Sequence, residues 1–134
     1  MSIQYRKVDA LDADSFIGVL VRSGLAERRP ASDRARIARM LAGSNLIIVA
    51  HDGDTLVGVA RSITDYAYCC YLSDLAVDRA YQGRGIGKRL IAETREAAGP
   101  ETMCLLVSAP DSIGFYDAIQ MPRQTRAFMF PRAQ

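Results

Sequence analysis

The sequence predicts a single α/β domain, and three observations carry that prediction. Short runs rich in Val, Ile and Leu alternate along the chain with stretches whose apolar residues recur at helical spacing. No internal repeat, low-complexity tract or linker-like segment divides the 134 residues, so one domain spanning 1–134 is expected. Hydrophobic residues make up 49% and charged residues 24%, a composition that closes one hydrophobic core rather than remaining disordered.

Residues 3–8 read as a first strand. Asp12 is placed to cap a helix carrying Phe16, Ile17, Leu20 and Val21 on one stripe, with Gly24 as its stop. The segment Glu27-Arg28-Arg29-Pro30 breaks that pattern, and Ser32 is expected to cap a second helix with Ile37, Met40 and Leu41 as its apolar face and Gly43 as its end. Residues 46–51 and 55–63 read as strands joined by a hairpin turn at Asp52-Gly53. Residues 68–77 form a further, partly alternating strand. A helix over 85–98 follows, closed by Gly99-Pro100, and 103–107 is a buried-type strand. Ser108-Ala109-Pro110-Asp111 resembles a helix start, and the helix it opens holds Phe115 and Tyr116. Residues 126–130 read as a last strand.

Charge and cysteine content narrow the function. With 17 basic against 15 acidic residues the net charge is only +2, so no nucleic-acid partner is expected and an anionic ligand must be met by local arrangement of charge. The N-terminus shows no signal peptide, and runs such as 46–50 are too short to cross a bilayer, so no membrane partner is expected. Three cysteines cannot all pair within the chain, and a single histidine (His51) with no Cys-x-x-Cys gives no basis for a metal site. A reducing, cytoplasmic location follows as the default.

The segment Gln82-Gly83-Arg84-Gly85-Ile86-Gly87, between a strand and a helix, has the chemistry of a phosphate cradle. Glycines let consecutive N–H groups converge, the helix adds its positive end, and Arg84, Lys88 and Arg89 bring cations nearby. A Walker A loop would need glycine at 82 and Ser or Thr at 89, where Gln82 and Arg89 stand. The dinucleotide fingerprint needs Gly-x-Gly-x-x-Gly, and the spacing here is Gly83-x-Gly85-x-Gly87. The pattern Gln82-x-x-Gly85-x-Gly87, preceded by Leu75-Ala76-Val77 on a strand, instead resembles the acyl-CoA-binding motif of the GNAT superfamily of N-acetyltransferases. The resemblance extends through most of the chain in element order and is sharpest from about Tyr71 to Tyr116.

It implies a mixed central sheet, largely antiparallel with one splayed parallel pair, flanked by about four helices. Acetyl-CoA would be the cosubstrate and lie in the splay, with the backbone of Leu75, Ala76 and Val77 beside the pantetheine arm and an amide there, that of Val77, polarising the thioester. The N–H groups of Gln82, Gly83, Arg84, Gly85, Ile86, Gly87 and Lys88 would hold the pyrophosphate, and Lys88 or Arg89 either reaches the ribose phosphate or is a solvated helix charge. Tyr116 matches the position that protonates the departing thiolate, the alternative being a packed tyrosine with its hydroxyl on a backbone group. Two positions depart from the family pattern. Ala109 stands where asparagine is common, and Gln120-Met121 where Gly-Phe is common, which makes a left-handed helix exit there harder by about 1 kcal/mol. Only four residues follow Phe130, so part of the acceptor wall is expected to be absent or to come from a second subunit of a homodimer.

The acceptor would be a primary amine, which must lose a proton before it attacks. Asp74 on the central strand is the first candidate for that base, or else a structural hydrogen-bonding group; Asp65 and His51 are the others. Arg28 and Arg29, where the family builds its acceptor site, would favour an acidic acceptor or be a solvated loop. The competing functions are a non-catalytic acyl-CoA-binding or sensing module and, against the charge balance, a nucleic-acid-binding protein.

Overall fold

A computed structural model describes residues 2–134. Strand β1 (Ile3–Val8) leads to helix α1 (Ala13–Ser23), a 3-10 turn (Leu25–Arg28) and helix α2 (Arg34–Ala42). Strands β2 (Leu46–Asp52), β3 (Thr55–Thr64) and β4 (Cys69–Val77) follow. A second 3-10 turn (Arg79–Tyr81), helix α3 (Ile86–Ala98), strand β5 (Met103–Leu105) and helix α4 (Ile113–Ala118) complete the order. The five strands lie in sequence order in one sheet, antiparallel except for the parallel pair β4–β5. The mixed sheet, its single parallel pair and its four α-helices are the fold class expected from the sequence.

The core divides into two layers because alternate residues of a strand face opposite ways. Leu46, Ile48 and Ala50 of β2 pack with Ile86, Leu90 and Ile91 of α3 on one face. On the other, Ile47 and Val49 pack with Phe16, Val19 and Leu20 of α1 and Ile37 of α2. Helix α3 lies close against β3: a Cβ on Gly58 would stand 3.1 Å from Leu90 Cδ1 and 3.3 Å from Ile86 Cγ2.

Helix α1 starts and stops as the sequence predicts, with Asp12 accepting the Ser15 N–H at 2.9 Å and Gly24 in the left-handed conformation at φ 87°. Elsewhere the boundaries move. Asp33, not Ser32, caps α2, since its carboxylate accepts the Arg36 N–H at 3.0 Å. Strand β5 stops at Leu105 rather than 107, because the chain leaves β4 after three pairs. Ser108 does not open a helix: its hydroxyl donates to the Ala109 carbonyl, and the residue before Pro110 is disfavoured in α conformation. Helix α4 begins only at Ile113. Residues 126–130, expected as a strand, are irregular, with the side chains of Phe128 and Phe130 98% and 101% exposed. The run is apolar enough for a strand, but it pairs with none of the five strands.

Helix α4 ends with Gln120 at φ 62°, the left-handed exit that a glycine would take more easily. The Gln120 N–H donates to the Asp117 carbonyl and the Met121 N–H to that of Tyr116, both at 3.0 Å, so the motif forms without glycine. No helix of the described residues is long and apolar enough to cross a membrane.

Candidate active site

The site begins where the parallel strands part. β4 and β5 pair only at Cys69–Met103, Cys70–Cys104 and Tyr71–Leu105. β4 then runs on through 72–77 while the chain after β5 leaves the sheet, exposing a stretch of β4 edge whose backbone groups can pair with an extended ligand. Leu75, Ala76 and Val77 occupy this stretch.

A bulge sets which side chains that stretch presents. Arg61 pairs with Asp74 and Ser62 with Leu72, which leaves Ser73 as an extra residue in β4. Cys70 and Leu72 face α3 before the bulge, and Leu75 and Val77 do so after it. Ala76 joins the α1 layer, and Asp74 follows it by alternation. The bulge thus turns an ionised group onto the α1–α2 side at the point where the strands splay.

Val77 leads into the glycine segment. Gln82 Nε2 donates to the Val77 carbonyl at 3.0 Å and ties the loop to the strand end. Gly83 and Gly85 stand at φ 79° and 80°, where a side chain is strained, and nothing lies within 4 Å of where their Cβ atoms would be. Gly85 opens α3 without a side-chain cap, so the first-turn N–H groups are left for another acceptor. That is the arrangement that receives an anion. Gly87 has a different reason: a Cβ there would sit 2.9 Å from Phe115 Cζ, so its absence lets the α4 ring rest on the start of α3.

The cations around the loop are unequal. The Arg84 guanidinium lies over the Tyr81 ring at 5.1 Å, and Tyr81 donates to Asp52 at 2.7 Å. Arg89 turns away along α3, over the Tyr5 ring at 4.6 Å and 3.5 Å from Glu93. Lys88 is exposed and makes no hydrogen bond or ion pair with any described residue.

Tyr116, next to Phe115, is half-buried and lines two cavities, one of about 460 Å³ toward α1 and α2 and one of about 810 Å³ beside β5 and the C-terminal segment. Its ring meets Phe115 edge-on at 5.0 Å. Its hydroxyl makes no hydrogen bond with any described residue, so the packed alternative with a backbone partner does not hold. Burial raises its phenol above the ordinary tyrosine value, against a smaller lowering by Arg29, so the group keeps its proton well past neutrality.

Asp74, the first candidate base, is fully buried, and both its oxygens are taken: one by Arg29 Nε and the other by Arg61 Nε. Buried and held by two guanidinium groups, this carboxyl is enclosed by the frame rather than open to the cleft. Arg61 also donates to Ser44 Oγ and Ser73 Oγ at 2.9 Å, and Arg29 donates to the Ser73 carbonyl at 2.8 Å. The sequence reading missed Arg61 and the bulge. The signal was an arginine and an aspartate, each set in an otherwise apolar strand. Asp65 accepts the N–H groups of Ala67, Tyr68 and Cys69, which hold its carboxyl far below the usual carboxylate range. His51 is a half-buried strand residue rather than a turn residue, and neither it nor Asp65 lines the cavities. No cluster of three His, Cys, Asp or Glu side chains suited to a metal occurs among the described residues.

Comparison with known proteins agrees with this geometry. The acetyltransferase (GNAT) family model matches residues 11–119. Mycothiol acetyltransferase of Rhodococcus opacus (strain B4) is 33% identical over 99 residues, covering 72% of this chain and 32% of that protein. Histone acetyltransferase TAP1 of Glycine max is 33% identical over 75 residues, 48% of this chain and 31% of that protein. The chain thus spans about a third of the length of these curated relatives. Among solved structures, a GNAT family acetyltransferase from Streptococcus pneumoniae TIGR4 superposes with a TM-score of 0.78 at 21% identity, covering 99% of this chain and 100% of that one. The aminoglycoside acetyltransferase meta-AAC0020, from an uncultured soil metagenomic sample, gives a TM-score of 0.71 at 22% identity, covering 97% and 96%. The strand order, the splayed parallel pair and the family match lead to one statement: the chain belongs to the GNAT family of acetyltransferases.

Proposed function

We propose that this domain transfers the acetyl group of acetyl-CoA to a primary amine by direct attack within a ternary complex. The observation that carries the reading is the continuity of the unpaired β4 edge with the glycine loop, with the unpartnered Tyr116 hydroxyl beside it. Acetyl-CoA would supply an activated thioester. A related fold, the aminoglycoside N-acetyltransferase AAC(6')-Iy, has been solved with CoA, at 16% identity and a TM-score of 0.72.

The backbone of Leu75, Ala76 and Val77 orients the extended arm of the cosubstrate, and the Val77 amide polarises the thioester carbonyl. N–H groups from Gln82 to Lys88 receive the pyrophosphate, and Arg84 and Lys88 add positive charge. Arg89 serves α3 and β1 instead, through Glu93 and Tyr5. The amine nitrogen forms a bond to the acetyl carbon, the carbon–sulfur bond breaks, and the thiolate takes its proton from Tyr116. A phenol raised by burial is still protonated at neutral pH. It gives its proton to the developing thiolate in concert with carbon–sulfur cleavage, the bond breaking driving a transfer that the two acidities alone would not. We assign Asp74 to positioning: it anchors Arg29 and Arg61 and, through them, the floor of the cleft. The ammonium form of the acceptor first loses a proton to water along the polar wall of Ser73, Ser108 and Ser112. The nitrogen sheds its second proton by the same route after attack, and Tyr116 regains its proton from that water. A cytoplasmic setting suits the three free cysteines.

Steady-state rates with acetyl-CoA and a panel of primary amines, with products identified by mass spectrometry, test the proposal. Acetylated product with intersecting double-reciprocal lines supports it. Parallel lines contradict direct attack, and acetyl-CoA binding without any product identifies a binding module.

A further inference from the structure

Resting on the acetyl-transfer reading, we infer that the acceptor carries an anionic group, a carboxylate or a phosphate, near its reacting amine, and that Arg28 and Arg36 hold it. Five arginines line the cavity of about 460 Å³ beside Tyr116: Arg28, Arg29, Arg36, Arg61 and Arg132. Among the described residues no Asp or Glu side chain lines it. The one carboxylate beneath it, Asp74, is shared by Arg29 and Arg61.

Four of the five differ in what already engages them. Arg61, 5% exposed, directs its N–H groups to Asp74, Ser44, Ser73 and the Met40 carbonyl and so belongs to the frame. Arg29 is fixed in the same way by Asp74, the Ser73 carbonyl and the Arg28 carbonyl. The Arg28 guanidinium is exposed and makes no hydrogen bond or ion pair with any described residue. Arg36 donates into the cleft, to the backbone oxygen of Gln134 at 3.2 Å, so its fork reaches an oxygen acceptor at that position.

Arg36 stands in the first turn of α2, whose N-terminus the Asp33 carboxylate already caps, so an anion in the cleft would be met by the guanidinium rather than by the helix end. A polyamine or an aminoglycoside, positive at several nitrogens, would meet like charge on this wall. An acceptor whose amine neighbours a carboxylate or phosphate would be drawn in and could form bidentate pairs with an arginine fork.

The experiment uses two matched pairs, ethanolamine with O-phosphoethanolamine and propylamine with β-alanine, together with spermidine, on the full chain saturated with acetyl-CoA. We expect the anionic member of at least one pair to show a kcat/KM higher by about tenfold or more, and the pair with the larger ratio separates phosphate from carboxylate. Arg28→Ala combined with Arg36→Ala should bring that pair to parity, chiefly through KM, with Arg36→Lys restoring part of the preference. Preference for the neutral members or for spermidine, or a preference that survives the double substitution, overturns the inference. Calorimetric titration of O-phosphoethanolamine and of β-alanine into the CoA-saturated protein needs no turnover. Binding lost in the double variant supports the inference, and no binding of either to the wild type sinks it. Failure of acetyl-CoA to bind or react in the same preparation counts instead against acetyl transfer itself.

Discussion

The first 98 residues and the last 36 are built on different terms. Every buried residue, from Ala13 to Ala98, lies in the first part, whereas nothing from Gly99 onward is buried. In the first part four strands are laddered continuously and covered by α1 and α2 on one face and α3 on the other. The last part holds on through three residues of β5, the Phe115 ring on Gly87 and the partly buried Cys104, Leu106, Tyr116 and Ile119 packed against the core. Yet it supplies Tyr116, one wall of the cavity of about 460 Å³ and the whole lining of the one of about 810 Å³. Burial is thus confined to the first part, and the splay beside β4 is where the two parts meet.

Four substitutions would break or sharpen that comparison. Asp74→Ala leaves Arg29 and Arg61 buried without their anion, and a loss of about 3–5 kcal/mol is expected in urea unfolding, with an unchanged dependence on denaturant. A loss near zero would mean that the pair is solvated and the first part is not the stability unit. Tyr116→Phe keeps the ring but removes the proton donor. It should lower kcat by about 10²-fold with little change in melting temperature. Because burial raises the phenol, the wild-type rate should persist on the alkaline side to beyond the ordinary tyrosine range, since the acid form is present below that raised value and lost above it. The Phe variant should lack that limb.

Gly87→Ala tests the joint itself. Its new Cβ meets the tip of an aromatic ring that is 38% exposed and free to shift, so stability should change little. The shift moves α4, and kcat should fall more than the melting temperature does. Gln120→Gly should produce the smallest effect and the opposite sign, stabilising by about 1 kcal/mol, because the left-handed residue at φ 62° no longer carries a side chain. An unchanged or lowered midpoint would show that the α4 exit is not strained.

The sequence was legible where burial dictates pattern. The α1 stripe with its Asp12 cap and Gly24 stop, the Val- and Ile-rich strands and the glycine loop before α3 all follow from local rules that packing then reinforces. It was least legible after Gly99. Residues 126–130 form an apolar, strand-like run, but composition reports only a tendency, and a strand needs a partner to pair with. Ser108 resembles a cap, but the proline two residues later and the divergence of the chain from β4 postpone the helix to Ile113. The site was legible as chemistry but not as geometry. Asp74 was visible as a charge on a central strand, whereas the bulge at Ser73 that pairs it with Arg61 depends on register between two strands. In retrospect the bulge leaves a trace: the positions facing α3 change parity from Cys70 and Leu72 to Leu75 and Val77. Arg36 and Arg132 join the cleft only through tertiary contact, which no spacing along the chain announces.

The central claim is that the β4 edge and the glycine loop together form an acetyl-CoA site. Calorimetric titration of the purified protein with acetyl-CoA, alongside a Gly85→Glu variant whose fold is verified by its thermal melt, tests it most directly. The account predicts micromolar binding by the wild type and none by the folded variant, whose added carboxylate occupies the open space above the start of α3. Equal binding by both, or no binding by the wild type, would contradict it.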